Sequence, residues 1–153
     1  MAVGGDPHEI RDEARRLRRV AGAVEEEARS VRRGHGIQWH GLAAERFRDR
    51  LAASSRDVDD VATSMREAAV KLDQLADALE ERQAAIRQAM NWVTDMVEGA
   101  KRKLNSLAGE AADRLSDAER AVQEQARRVL STASAAPHPG DPQWLDLARR
   151  LGR

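Results

Sequence analysis

Cysteine and tyrosine are absent from the 153 residues, and the aromatic side chains are limited to three Trp and one Phe. Without cysteine the chain forms no disulfide and offers no thiolate ligand to a metal. Compact cores usually take much of their buried area from aromatic residues, so a core here must come from Ala, Leu, Val, Ile and Met. A composition rich in these aliphatic residues, together with 34% charged residues, is typical of long helices and coiled coils.

An excess of charge of either sign is also missing, since 26 acidic residues balance 26 basic ones. A nucleic-acid-binding protein would be expected to present a basic face. The densest basic cluster, at residues 15–19, is flanked by acidic residues, which is typical of a solvated helix face. No run of 18 apolar residues is present, and the N-terminal residues lack the apolar segment of a signal peptide. We therefore expect no nucleic-acid partner, no transmembrane segment and no cleavable signal peptide.

The first helix is predicted from Pro7 to Arg33. Asp6 can cap it, Pro7 suits the first helical position, and Glu9 can complete a capping box. Apolar residues then recur in alternating steps of four and three, which only a helix places on one stripe. The stripe consists of Ile10, Ala14, Leu17, Ala21, Val24, Ala28 and Val31. Gly34 ends the pattern.

A second, longer helical pattern begins after Gly41, where Phe47 and Leu51 open its apolar stripe. One apolar row recurs at every seventh residue, at Val58, Met65, Leu72, Leu79, Ile86, Val93, Ala100 and Leu107. The neighbouring row, with one polar member, contains Ala62, Ala69, Ala76, Gln83, Met90, Val97, Leu104 and Ala111. These rows predict an all-α fold, with an antiparallel helical hairpin over residues 5–104.

The apolar pattern changes phase near residue 105. Basic residues at 101–103 suit a helix C-terminus, while Glu110 and Asp113 suit a helix start. This placement favours a break around 105–109, with Gly99 as the alternative break. We predict an additional helix over 105–131, a linker rich in Pro, Gly and Ser over 132–142, and a short amphipathic helix over 143–152.

The lengths of the two helices imply a partner. The first helix extends roughly 40 Å and the second pattern roughly 95 Å at 1.5 Å per residue, so part of the apolar seam stays uncovered. A hairpin also has a thin core, which pairing into a four-helix bundle would thicken. We therefore expect a homodimer or a heterodimer. The predicted helix-pairing face consists of Leu17, Val24, Phe47, Val58, Met65, Leu72, Leu79 and Ile86.

The segment Trp39-His40-Gly41 lies in the predicted turn between the two long helices. Gly41 would allow a tight backbone course in which a Cβ would clash, and Trp39 could cover the end of the hairpin. The motif and its continuation, residues 42–47, resemble the WXG100 family of helical hairpins exported by type VII secretion systems of Gram-positive bacteria. They also resemble the helical secretion domains at the head of larger type VII toxins. The resemblance covers residues 5 to 98.

The resemblance implies a protein that folds in the cytoplasm, pairs with another WXG100-like hairpin and binds the secretion ATPase. It also implies export to the cell envelope or beyond without signal-peptide cleavage. Members or their partners carry a Tyr-x-x-x-Asp/Glu export signal, whereas this chain has no Tyr and only an imitation at Trp92 and Asp95. The signal would then lie on a partner or take another form.

Residues suited to catalysis or cofactor binding are not grouped in the sequence. His35 and His40 share a loop without a nearby carboxylate or cysteine, and no phosphate-binding loop or nucleophile elbow is present. We expect no enzyme, no cofactor and no metal. The main hypothesis is a type VII secretion substrate or the targeting module of a secreted effector. The alternative is a cytoplasmic coiled-coil scaffold in which Trp39 and Gly41 coincide by chance.

Overall fold

The computed structural model describes residues 5–33, 38, 40–108 and 115–153. These residues form α1 (Pro7–Arg33), α2 (Leu42–Leu107), α3 (Asp117–Ala133) and α4 (Gln143–Arg150), and they contain no strand. The predicted all-α fold is confirmed. Within the same residues, no helix is both long enough and apolar enough to cross a membrane.

Aspartates next to proline begin two of the helices in the same way. The Asp6 carboxylate accepts a hydrogen bond from the backbone N–H of His8 at 2.8 Å. At α4, the Asp141 carboxylate accepts one from the N–H of Gln143, also at 2.8 Å. Each bond satisfies a backbone donor that has no partner inside its helix. The two Asp-Pro pairs therefore act as repeated helix starts.

A capping box that the sequence analysis did not use sets the start of α3. The Ser116 hydroxyl accepts a bond from the N–H of Glu119 at 3.3 Å, and the Ser116 N–H donates to the Glu119 carboxylate at 2.7 Å. Hydrogen bonds from the side chain and backbone of Ser116 lower the pKa of the Glu119 carboxyl. The predicted helix start at Glu110 lies outside the described residues, and α2 continues through Gly99 to Leu107.

The described chain divides into two compact units, and α2 contributes to both. The hairpin unit, Gly5–Leu79, contains α1 and the first part of α2. Arg11 of α1 pairs with Asp77, whereas Arg32, near the end of α1, pairs with Asp59. Since later residues of α1 meet earlier residues of α2, the two helices are antiparallel, as predicted.

The C-terminal unit, within Glu80–Arg153, has a small core of its own. Its buried residues are Ile86, Ala89 and Val93 of α2 and Trp144, Leu147 and Ala148 of α4. The indole N–H of Trp144 donates to the carbonyl of His138 at 2.9 Å, so the polar edge of the ring is satisfied. An isolated helix of eight residues is marginal in water. Docking on α2 therefore stabilises α4.

Replacing Trp144 by Ala should release α4 from α2. Truncating a buried Trp costs about 3 to 5 kcal/mol, which is more than so short a helix can lose and remain folded. We expect amide hydrogen exchange over residues 143–150 to accelerate, while the amides of α1 keep their protection. Arg149→Ala, at an exposed position of α4, is the matched control. Unchanged protection of α4 in Trp144→Ala would contradict this assignment.

Candidate helix-pairing surface

Alanines at every seventh residue form the contact between α1 and α2. On α1 the buried alanines are Ala14, Ala21 and Ala28, and on α2 they are Ala62, Ala69 and Ala76. Ser55, seven residues before Ala62, is also buried. Small side chains at a helix contact permit a short distance between the axes. We call these two facing rows the alanine seam.

Charged residues flank the alanine seam on one side. On α1 each charged residue lies four residues after a seam alanine or three residues before one. Arg18, for example, follows Ala14 by four. They pair across the helices: Arg11 with Asp77 (2.7 Å), Arg18 with Asp73, Glu25 with Arg66, and Arg32 with Asp59 (2.5 Å). Arg32 also donates to the Ser55 hydroxyl at 2.7 Å. We call this set the ion-pair ladder, and it identifies one face of the hairpin.

In the middle of the ladder, Glu25 and Arg66 shift the pKa of one another. The hydrogen bond from Arg66, assisted by the nearby guanidinium groups of Arg29 and Arg32, lowers the pKa of the Glu25 carboxyl. In return the hydrogen bond that Arg66 donates to the Glu25 carboxylate raises the pKa of Arg66. Because the pairs lie at least partly in solvent, they add little to stability.

Large apolar residues flank the alanine seam on the opposite side. In an antiparallel pair, corresponding flanks of the two helices lie on the same face, as the ion-pair ladder shows for the charged flank. The other flank therefore gathers the large residues of both helices on the second face. Its half-buried members are Ile10, Leu17 and Val24 of α1 and Val58, Met65, Leu72 and Leu79 of α2.

A further apolar row extends this second face outward. Its members, Val20, Val61 and Leu75, each precede a seam alanine by one residue and are thus turned by about 100° from the seam. All three are exposed, Leu75 by 54%. Together with the half-buried row they make an apolar strip along both helices, bordered on α1 by Glu13 and Glu27 of the same outer row, and we call this strip the apolar face. Large exposed apolar patches mark interaction sites in soluble proteins.

Six of the eight residues predicted for helix pairing lie on the apolar face: Leu17, Val24, Val58, Met65, Leu72 and Leu79. Phe47 lies on α2 nearer the turn and is 50% exposed. Ile86 lies instead in the C-terminal unit, where it belongs to the core beneath α4. The sequence analysis missed Val20, Val61 and Leu75, although their position one residue before the alanines marks them.

Gly41 begins α2 in a conformation that favours glycine. Its φ is 111°, and its carbonyl accepts hydrogen bonds from Ala44 at 3.0 Å and Glu45 at 3.2 Å. A Cβ placed on Gly41 would meet no described atom within 4 Å. Among the described residues no clash with a Cβ accounts for this glycine, whereas its positive φ favours a residue without a side chain. Trp39, the other half of the motif, lies outside the described residues.

The described residues contain no cluster of side chains suited to metal binding. Among the described residues no three or more His, Cys, Asp or Glu side chains form a group that could hold a metal ion. His40 is exposed at the turn, and His35 lies outside the described part of the chain. The surface features that remain in the hairpin unit are the ion-pair ladder and the apolar face.

Enlarging an alanine of the seam should force α1 and α2 apart. Ala69 is fully buried, so Ala69→Leu should lower the free energy of unfolding by about 2 kcal/mol through overpacking. Ala78 is exposed on the side of α2 away from the seam, and Ala78→Leu is the matched control with the same change in volume and propensity. Urea unfolding followed by circular dichroism measures both, and equal stability of the two variants would argue against a close alanine contact.

Comparison with known proteins agrees with this helical architecture. Residues 2–144 match the family described as "Putative T7SS secretion signal domain", where T7SS denotes the type VII secretion system. No curated protein and no solved structure matches the chain. The family match includes both helices of the hairpin unit, α3 and the first residues of α4. The chain therefore belongs to the type VII secretion signal domain family.

Proposed function

We propose that the chain is a type VII secretion substrate, or the targeting module of a secreted effector, and that it acts by pairing its hairpin with a second hairpin. Membership in the secretion signal family supports the secretion role. The apolar face is the observation that carries the pairing mechanism. Binding rather than catalysis is the proposed activity, and no cofactor is proposed. The family match disfavours the alternative of a cytoplasmic scaffold.

The apolar face offers enough surface for association. Completing the burial of a half-exposed Val, Leu or Met contributes about 1 kcal/mol. Two faces covering one another would together gain on the order of 15 kcal/mol, against an association cost of about 4 to 15 kcal/mol. The free energy gained by burial is at least as large as the cost of association, so two apolar faces can form a pair without any further contact. The resulting four-helix arrangement buries the thin side of each hairpin.

A second copy of this chain is the occupant we propose for the apolar face. The face is apolar along both helices, so it is complementary to itself, as a two-fold interface requires. The balance of 26 basic and 26 acidic residues imposes no long-range repulsion between copies. A related hairpin from a sister protein is the other occupant, and it would compete for the same face.

Export is the step at which the pair would meet the secretion ATPase. We propose that the folded pair forms in the cytoplasm, binds that ATPase and leaves the cell or reaches its envelope. The chain contains no Tyr, so the tyrosine-based signal of the WXG100 family would be supplied by a partner or replaced. Trp39 and Gly41 would form the turn end of each hairpin.

A charge on the apolar face should break the pair. Leu75→Lys places an ammonium group where the second hairpin would bury it, so self-association measured by sedimentation equilibrium should weaken roughly tenfold or more. Val70 is nearly as exposed, at 49%, but follows Ala69 by one residue and thus lies on the ladder side. Val70→Lys should associate like the wild type. Equal loss in both variants, or in neither, would count against the apolar face.

Trp39→Ala should reduce export while leaving helical content nearly unchanged. Residue 39 falls in sequence between the end of α1 and the start of α2, so we expect its replacement to leave both helices intact. Mass spectrometry of culture supernatants, with and without the secretion ATPase, measures export, and circular dichroism measures helicity. Secretion that persists in the variant would remove the functional role of the motif. Secretion that is independent of the ATPase would overturn the type VII assignment.

A further inference from the structure

The alanine seam by itself does not determine how α1 and α2 are aligned. Its members recur every seven residues on both helices, so a shift of one helix by seven residues brings alanine against alanine again. The large apolar residues repeat with the same period. The connection, residues 34–41, has eight residues and a reach of roughly 26 Å. Arg32 lies beside Asp59, so Leu42, the start of α2, lies about 24 Å beyond the end of α1 along the axis of α2. A shift that shortens this span by about 10 Å is therefore permitted, whereas the opposite shift would lengthen it to about 34 Å, beyond the reach of the connection. Another feature must exclude the permitted shift.

The ion-pair ladder has the asymmetry that this selection needs. Arg11, Arg18 and Arg32 each place a cation on α1 against an Asp of α2. The remaining pair has the opposite polarity, with Glu25 on α1 and Arg66 on α2. The sequence of charges along α1 is therefore not invariant under a shift of seven residues.

We propose that the reversed pair Glu25–Arg66 fixes the register of the hairpin by making the permitted shifted alignment repulsive. In that alignment, Arg18 would face Arg66 and Glu25 would face Asp59. The shift thus replaces attractive pairs by two like-charge contacts, which are unfavourable on helix surfaces. Glu25 and Arg66 are positioning residues.

The register matters because it decides which large side chains lie beside one another on the apolar face. A shifted hairpin keeps its alanine seam but displaces Leu17 and Val24 by one heptad relative to Met65 and Leu72. A surface with the same composition and a different shape would result. This inference concerns the hairpin itself and stands whether or not the proposed secretion function is correct.

Spin labels can measure the register directly, because the chain has no cysteine of its own. Ser30→Cys on α1 and Lys71→Cys on α2 provide two exposed attachment sites in the hairpin unit. A shift of one heptad moves the labels by about 10 Å along the helix axis. Double electron–electron resonance gives the distance distribution, and an excess of unlabelled protein restricts it to distances within one chain.

The test variant exchanges the two charges of the reversed pair. Glu25→Arg combined with Arg66→Glu keeps the native pair but makes both of these shifted contacts attractive. We expect a second distance population, raised roughly tenfold over the wild type, since each exposed charge contact changes an equilibrium by a factor of about 1.5 to 5. A single distance equal to that of the wild type would overturn the proposal.

The control variant exchanges the charges of a neighbouring pair. Arg18→Glu with Asp73→Arg also preserves the native pair, but the permitted shifted alignment still places Glu25 against Asp59 and now places Arg11 against the cation introduced at position 73. It should therefore keep a single distance, and a second population here would equally overturn the proposal. If circular dichroism shows that the test variant does not fold, Glu25→Gln with Arg66→Gln removes the repulsion without adding charge. That variant should show a smaller second population, and a single distance would again contradict the inference.

Discussion

Close contact between alanines is the constraint from which the rest of the hairpin follows. An alanine at every seventh residue on both helices lets α1 and α2 approach closely. Their larger apolar neighbours then have no room between the helices and are displaced to one flank. The charged neighbours occupy the other flank and pair across it. Alanines at the helix contact thus give the hairpin one charged face and one apolar face.

Much of this architecture could be predicted because heptad periodicity and capping are local properties of the chain. The helix starts at Asp6 and Asp141 and the two apolar rows are visible in the sequence. The start of α3 at Ser116 is equally local, since Ser followed three residues later by Glu119 is a capping box. The helix start predicted at Glu110 lies outside the described residues.

The parts that could not be predicted depend on which elements meet. Periodicity identifies two rows on each helix but does not decide which row lies at the centre. Side-chain size decides it: the alanines pack between the helices, and Leu17 or Met65 remains half-exposed beside them. The burial of Ile86 depends on α4, whose Trp144 lies 58 residues later in the sequence. No local pattern on α2 distinguishes Ile86 from Leu79, seven residues earlier.

Met65 offers the most direct test of the account, because it lies on the apolar face and is half-buried in the single chain. Hydroxyl-radical oxidation of its thioether reports exposure, and Met96, in the C-terminal unit beside Ala126 of α3, serves as an internal reference. As concentration rises and the mass measured by sedimentation doubles, oxidation of Met65 should fall while that of Met96 stays constant. Unchanged oxidation of Met65 through the doubling of mass, or no association at any concentration, would contradict the account.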